Sequence, residues 1–225
     1  MILNQYNNQT AQTTAILNQI KTTCDLLLQK QDHITIAVSG GRSPIPFFKV
    51  LSMLDIPWQK ITITLVDERV VDTTCEDSNE NLVKTYLLKN KALNTKFIGL
   101  VNMSYTEQEM LEYVNRHVPT IDIIILGMGE DGHTASIFPD MDEFQKAISL
   151  QNPDKYIITH PKSAKYTRIS LTLREIIATQ LIILSISGDK KYQVYQKAIT
   201  NTTPSFPISY LFHHKKDVMM YYCNI

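Results

Sequence analysis

The chain has 225 residues, 44% of them apolar, and its 22 basic residues balance 22 acidic ones, so one substantial core is expected and no polyelectrolyte partner. Nucleic acid and membrane are both excluded as partners: the densest basic cluster, Lys215-Lys216 beside His213-His214, reads as a solvated turn, and no apolar run is long enough to span a bilayer. Residues 1–15 are polar rather than signal-like, and the scattered Cys24, Cys75 and Cys223 suit a reduced, cytoplasmic protein better than a disulfide framework.

In chain order, residues 10–29 place Ala11, Ala15, Ile16, Ile20, Cys24, Leu27 and Leu28 at helical spacing. A β-rich run follows at 34–38 and ends in Ser39-Gly40-Gly41-Arg42-Ser43-Pro44, with a helix predicted over 45–54. Strand, glycine turn and helix start can cradle an anion, because free N–H groups and the helix dipole both favour negative charge; an ordinary turn explains the glycines equally well. A second strand over 61–66 runs into Asp67-Glu68-Arg69, charges that suit a site rim better than a core. Asp77-Ser78-Asn79 caps a helix over 80–88, a short strand occupies 96–100, and Ser104 or Thr106 opens a helix over 106–117.

The stretch from Ile121 to Pro139 organises the chain. Residues 121–126 read as a strand buried on both faces, with Asp122 its only polar member. Gly127, Gly129 and Gly132 permit positive φ and close approach to a ligand, and 134–138 is a short predicted helix stopped by Pro139. The turn carries Asp131 and His133 at the carboxyl edge of the sheet, where open α/β sheets bind ligands. Gly127-x-Gly129-x-x-Gly132 matches the dinucleotide fingerprint literally. The long following helix and the later acidic residue are missing, and Glu130 and Asp131 would oppose a pyrophosphate, so no nicotinamide cofactor is expected. No histidine or cysteine spacing signals a metal either.

Further strands are predicted at 156–160, 167–171, 181–186 and 218–223, with helices at 173–179 and 189–199 and a loop around Pro204 and Pro207. Lys190 and Lys191 fall in the first turn of the 189–199 helix, against its macrodipole, which fits either a bound anion or plain solvation. Strands alternating with helices predict an α/β fold: a mostly parallel, doubly wound, Rossmann-like sheet with helices on both faces, in one domain over 1–225.

The segments SGGRSP (39–44), DER (67–69) with DSN (77–79), LGMGEDGHTASIFP (126–139), and RISLT (168–172) with Gly188-x-x-Lys191 resemble, in order and spacing, the 6-phosphogluconolactonases of the pentose phosphate pathway. The related glucosamine-6-phosphate deaminase/isomerases share the early elements, but Thr134-Ala135-Ser136 and Arg69 are closer to the lactonases. Departures are Val71-Asp72 in place of Val-Pro, Glu80 in place of a common Tyr, and a lysine-rich 161–166 connection. The resemblance implies a sugar-phosphate lactone as substrate and no cofactor; a monomer or weak homodimer is expected. It implies His133 as the base that activates water, with Asp131 or Asp67 orienting the imidazole. It places the phosphate on Ser39, Gly40, Gly41, Ser43, Arg168 and Lys191. Arg42 either joins them or faces solvent. Arg69 binds phosphate, polarises the lactone carbonyl, or pairs with Asp67 or Glu68. A serine nucleophile is not indicated, since no G-x-S-x-G elbow occurs.

Overall fold

The computed structural model describes residues 1–215 and 217–224. The chain runs β1 (Ile2–Tyr6), α1 (Gln9–Leu27), β2 (Ile34–Val38), α2 (Ile45–Leu51), β3 (Ile61–Leu65), β4 (Asp67–Arg69), α3 (Asn79–Tyr86), β5 (Lys96–Phe97), α4 (Glu107–His117) and β6 (Ile123–Leu126). It continues as α5 (Phe144–Ile148), β7 (Tyr156–Thr159), β8 (Arg168–Leu171), α6 (Leu173–Ala178), β9 (Leu181–Ser187), α7 (Asp189–Ala198), α8 (Ile208–His214) and β10 (Met219–Cys223).

Strands β2, β3 and β6 are buried along their whole length, as unbroken Ile/Val/Leu runs require when helices cover both faces of a sheet. They form the centre of a parallel seven-stranded sheet in the order β1-β10-β9-β6-β2-β3-β5, with Ile36 in register between Ile63 and Ile123. From β2 the chain moves outward through β3 to β5, then returns to β6 and continues the other way through β9 to β10. Right-handed crossovers therefore put α1, α2 and α3 on one face and α4 to α8 on the other. The reversal falls between β2 and β6, and a crevice opens beyond their carboxyl ends.

The helices follow from their ends and faces. Asn8 caps α1, which buries Ile16, Leu17, Ile20, Cys24 and Leu27. Thr106, not Ser104, opens α4 through a reciprocal capping box with Glu109, and Arg116 and His117 close it where positive charge suits the dipole. His213 and His214 likewise close α8, and Lys215 lies 3.5 Å from Asp217; Lys216 of the basic cluster lies outside the described residues.

Several elements differ from the sequence expectation. The polar opening residues form β1, a parallel edge strand on β10, where one solvated side tolerates Asn and Gln. The run after Pro207 is not loop but α8, because that proline sits at a helix start, where its missing N–H costs nothing. Strands β7 and β8 stay out of the main sheet: they form an antiparallel hairpin that pairs with β4 in a separate sheet ordered β4-β8-β7. Glu68 does not stand at a rim. It is 1% exposed and accepts hydrogen bonds from the backbone N–H groups of Arg69, Asn79 and Glu80 and from the Ser78 hydroxyl. Burial pushes its carboxyl above the ordinary value, while those donors oppose the rise.

Asp122, the polar member of the central run, is also structural. Its carboxylate accepts from the Thr35 N–H at 2.8 Å and the Gln31 amide at 2.9 Å, while its backbone N–H donates to Thr35. This pins β6 to β2 at the end opposite the crevice. Replacing Asp122 with Ala strands the buried Thr35 donor, and urea unfolding of this variant is expected to show a loss of about 1–3 kcal/mol.

Candidate active site

The turns beyond β2 and β6 meet β4, β8 and the start of α7 around a cavity of about 1120 Å³. Ser39, Gly40, Gly41, Ser43, Asp67, Arg69, His133, Arg168 and Lys191 all line it. Asp131 and Arg42 do not line it. Asp131 stands behind His133, and Arg42 is exposed.

His133 is held by its own turn. Gly129 N–H donates to the His133 carbonyl, and the imidazole Nδ1 lies 2.6 Å from Asp131 Oδ1. An ionised carboxylate only accepts, so Nδ1 carries the proton and Nε2 is left as the basic nitrogen. Burial pushes the Asp131 carboxyl up, but the hydrogen bond and charge of His133 outweigh it and hold it below its ordinary value. The imidazole stacks on Phe138 at 4.2 Å between ring centroids. Of the three turn glycines, Gly132 alone has positive φ, at 76°. Gly129 serves close approach instead: a Cβ there would overlap Asp131 Oδ1 and the His133 ring.

The helix expected over 134–138 does not form. Thr134 and Ile137 make a tight bridge, Ala135 takes φ of 50°, and the Thr134 hydroxyl donates to the Gly127 carbonyl. With a proline immediately after, so short a run gains more from these bonds than from one helical turn. The bridge delivers Ser136, whose hydroxyl donates to Asp67 Oδ2 at 2.5 Å and whose N–H donates to the Ser170 hydroxyl. Asp67 is thus engaged by Ser136, with Arg168 Nη1 at 3.9 Å, and the contact to the imidazole belongs to Asp131.

The cations are differently placed. Arg168 is largely buried, and its Nε has no hydrogen-bond partner among the described residues. Burial lowers its guanidinium pKa, Asp67 counters this, and Arg69 adds to it. Arg69 makes no rim salt bridge with Asp67 or Glu68 among the described residues; its Nη1 donates to the Asp77 carbonyl and to Asn79 Oδ1. Lys190 lies 3.5 Å from Glu130, while its neighbour Lys191 lines the cavity. The Ser39 hydroxyl is buried and also unpartnered among the described residues. Helix α2 beyond it has only seven residues and no side-chain cap.

A base with its proton-free nitrogen beside a cavity lined by two arginines, two lysines and unpartnered donors fits an anionic substrate that undergoes proton transfer. The family model for glucosamine-6-phosphate isomerases/6-phosphogluconolactonase matches residues 7–220. The chain belongs to this family. A 6-phosphogluconolactonase of Neisseria meningitidis serogroup A is 37% identical over 219 residues, 95% of each chain. A crystal structure from Neisseria gonorrhoeae FA 1090 shares 37% identity and a TM-score of 0.91, covering 99% of both chains. That of a 6-phosphogluconolactonase from Shewanella baltica OS155 shares 30% identity and a TM-score of 0.90, covering 100% of this chain and 97% of that one.

Sequence reasoning missed several wall residues. Phe138 looked like a helix end, and Asn79 looked like a cap, although Ser78 caps α3 and Asn79 donates to the Asp67 carbonyl. The polar face of α1 at Gln9, Thr10 and Thr13, and Ser185 and Ser187 of β9, carry no motif signal at all. Tyr166 and Lys165 were visible only as an unusual connection.

A Gly129→Ala variant is expected to fold and to lose the downfield His133 Nδ1–H proton resonance. The added methyl displaces the imidazole from Asp131, and proton NMR of the two proteins checks it.

Proposed function

We propose that this chain is a single lactonase domain that hydrolyses 6-phospho-D-glucono-1,5-lactone to 6-phosphogluconate in the oxidative pentose phosphate pathway. The observation that carries the reading is the Asp131–His133 pair at the wall of a cation-lined cavity, in a chain whose full-length relatives are lactonases. Residues 1–225 would act in the cytoplasm as a monomer or weak homodimer, and the scheme draws on no metal or cofactor.

His133 Nε2 takes a proton from water as the oxygen attacks lactone C1. Negative charge gathers on the former carbonyl oxygen, and Arg69, with donors beyond those engaged by Asp77 and Asn79, stabilises it. Collapse breaks the bond from C1 to the ring oxygen, and His133 returns its proton to that oxygen. Asp131 fixes the productive tautomer and favours the imidazolium in between. Asp67 acts one step away: anchored by Ser136, it sets the position of Arg168. The phosphate takes Arg168, Lys191, the Ser39 hydroxyl and the N–H groups of the 39–43 loop, while exposed Arg42 adds only long-range attraction.

A coupled assay with 6-phosphogluconate dehydrogenase on freshly made lactone, corrected for spontaneous hydrolysis, tests the scheme. The His133→Ala variant is expected to lose about 10²–10⁴-fold in kcat. Full activity in that variant would remove the base, and ammonia release from glucosamine 6-phosphate by wild type would favour the isomerase branch of the family. Asp131→Asn is expected to lower kcat with KM little changed, because an amide in that position no longer fixes the Nδ1–H tautomer of His133. Arg168→Ala and Lys191→Ala are expected to raise KM for the phosphorylated lactone; unchanged KM in both would refute the phosphate assignment.

A further inference from the structure

The tip of the β7–β8 hairpin and the 72–78 loop both contribute to the wall of the cavity, through Ser163 to Tyr166 and Asp77. They meet side chain to side chain. The Tyr166 hydroxyl donates to Asp77 Oδ2 at 2.8 Å, and Arg69 Nη1 donates to the Asp77 carbonyl. Lys165 Nζ in turn donates to the Tyr166 hydroxyl at 2.7 Å and lies 4.6 Å from the Tyr166 ring centroid. A freely rotating lysine would gain nothing from its position; this one is held on the wall by its neighbour.

Among the described residues its ammonium has no direct carboxylate partner, although the Asp77 carboxylate stands across the Tyr166 hydroxyl from it. Nearby Lys162 is paired with Asp142, Lys84 with Glu80 and Lys190 with Glu130, whereas Lys165 forms no ion pair with a carboxylate among the described residues. Of the lysines on the hairpin tip, Lys165 lines the cavity and Lys162 does not. The hydroxyl of Tyr166 gives its proton to Asp77 and its lone pair to Lys165, so one group orders both partners.

We propose that Lys165 is a specificity-determining residue of this enzyme, a further cation held by the Tyr166–Asp77 clasp that selects the phosphorylated lactone over its uncharged counterpart. The proposal rests on the cavity being the lactonase site. It adds an exposed ammonium to the contacts assigned above, among which Arg168 is largely buried. An exposed ammonium acts chiefly through attraction that salt screens.

The test compares kcat/KM for 6-phosphogluconolactone with kcat/KM for unphosphorylated glucono-1,5-lactone in wild type, Lys165→Ala, Lys165→Arg, Tyr166→Phe and the Lys165→Ala/Tyr166→Phe pair. The selectivity ratio is expected to fall about threefold to tenfold in Lys165→Ala, and less at high ionic strength. Lys165→Arg should restore it. Tyr166→Phe should lower it too, with no further loss in the double variant, because both changes remove one coupled unit. An unchanged ratio in Lys165→Ala overturns the proposal, as does an equal fall for both lactones, which would mean that the side chain only shapes the wall. Calorimetric binding of 6-phosphogluconate to His133→Ala, with and without Lys165→Ala, reads the anion contact without catalysis. Weaker binding in the double variant supports Lys165 even if wild type fails to hydrolyse the lactone, and equal binding overturns it even if the lactonase reading stands.

Discussion

The parallel seam between β2 and β6 is the constraint on which the rest depends. Both strands are fully buried, so every backbone group along them must be paired within the sheet, and the register is fixed by that need. At one end the Asp122 carboxylate locks the pair to Thr35. At the other end the strands finish side by side while their chains leave in opposite directions, so a crevice must open. Its position is dictated by strand order before any side chain is considered.

Buried carboxylates recur as the clamps that hold this arrangement. Asp122 joins β6 to β2, Glu68 gathers the first N–H groups of α3, and Asp67 ties β4 to Ser136 in the turn after β6. Asp122 and Glu68 each meet several donors and Asp67 meets the Ser136 hydroxyl, with Arg168 at 3.9 Å, which opposes the cost of burying a carboxylate. Removing a donor from such a set leaves a charge that the interior cannot hydrate. The acids nearest the cavity are therefore divided in labour: Asp67 and Glu68 organise backbone and neighbours, while half-exposed Asp131 is left to act on His133.

The small antiparallel sheet supplies what the main sheet cannot. A parallel sheet presents its loops at one edge, and here those loops bring glycines, serines and one histidine. Arg69 and Arg168 come from β4 and β8, paired directly with each other in register, so two cations are placed on one rigid ladder beside the crevice. Their mutual repulsion is balanced by Asp67 and by the Asp77 carbonyl rather than by solvent. Phe138 spans the two halves of the site, stacked on His133 and 5.8 Å from the Arg168 guanidinium.

By itself the sequence determined the alternating α/β order, the buried central strands and the turn carrying Asp131 and His133. Unbroken apolar runs and glycine turns are local, and their physics does not depend on the rest of the chain. It also carried the family, because the 126–139 motif is contiguous. Only the tertiary structure decided which carboxylate meets the imidazole, since Asp67 and Asp131 are equally plausible until Ser136 claims one of them. The same holds for the second sheet, for Glu68 as a buried clamp, and for Tyr166 reaching Asp77 across many residues of chain. The edge strand β1 and the helix after Pro207 were hidden for a related reason: their polar or proline-marked residues become ordered only through partners distant in sequence. Pairings of that kind are set by strand order and packing, and no local pattern encodes them.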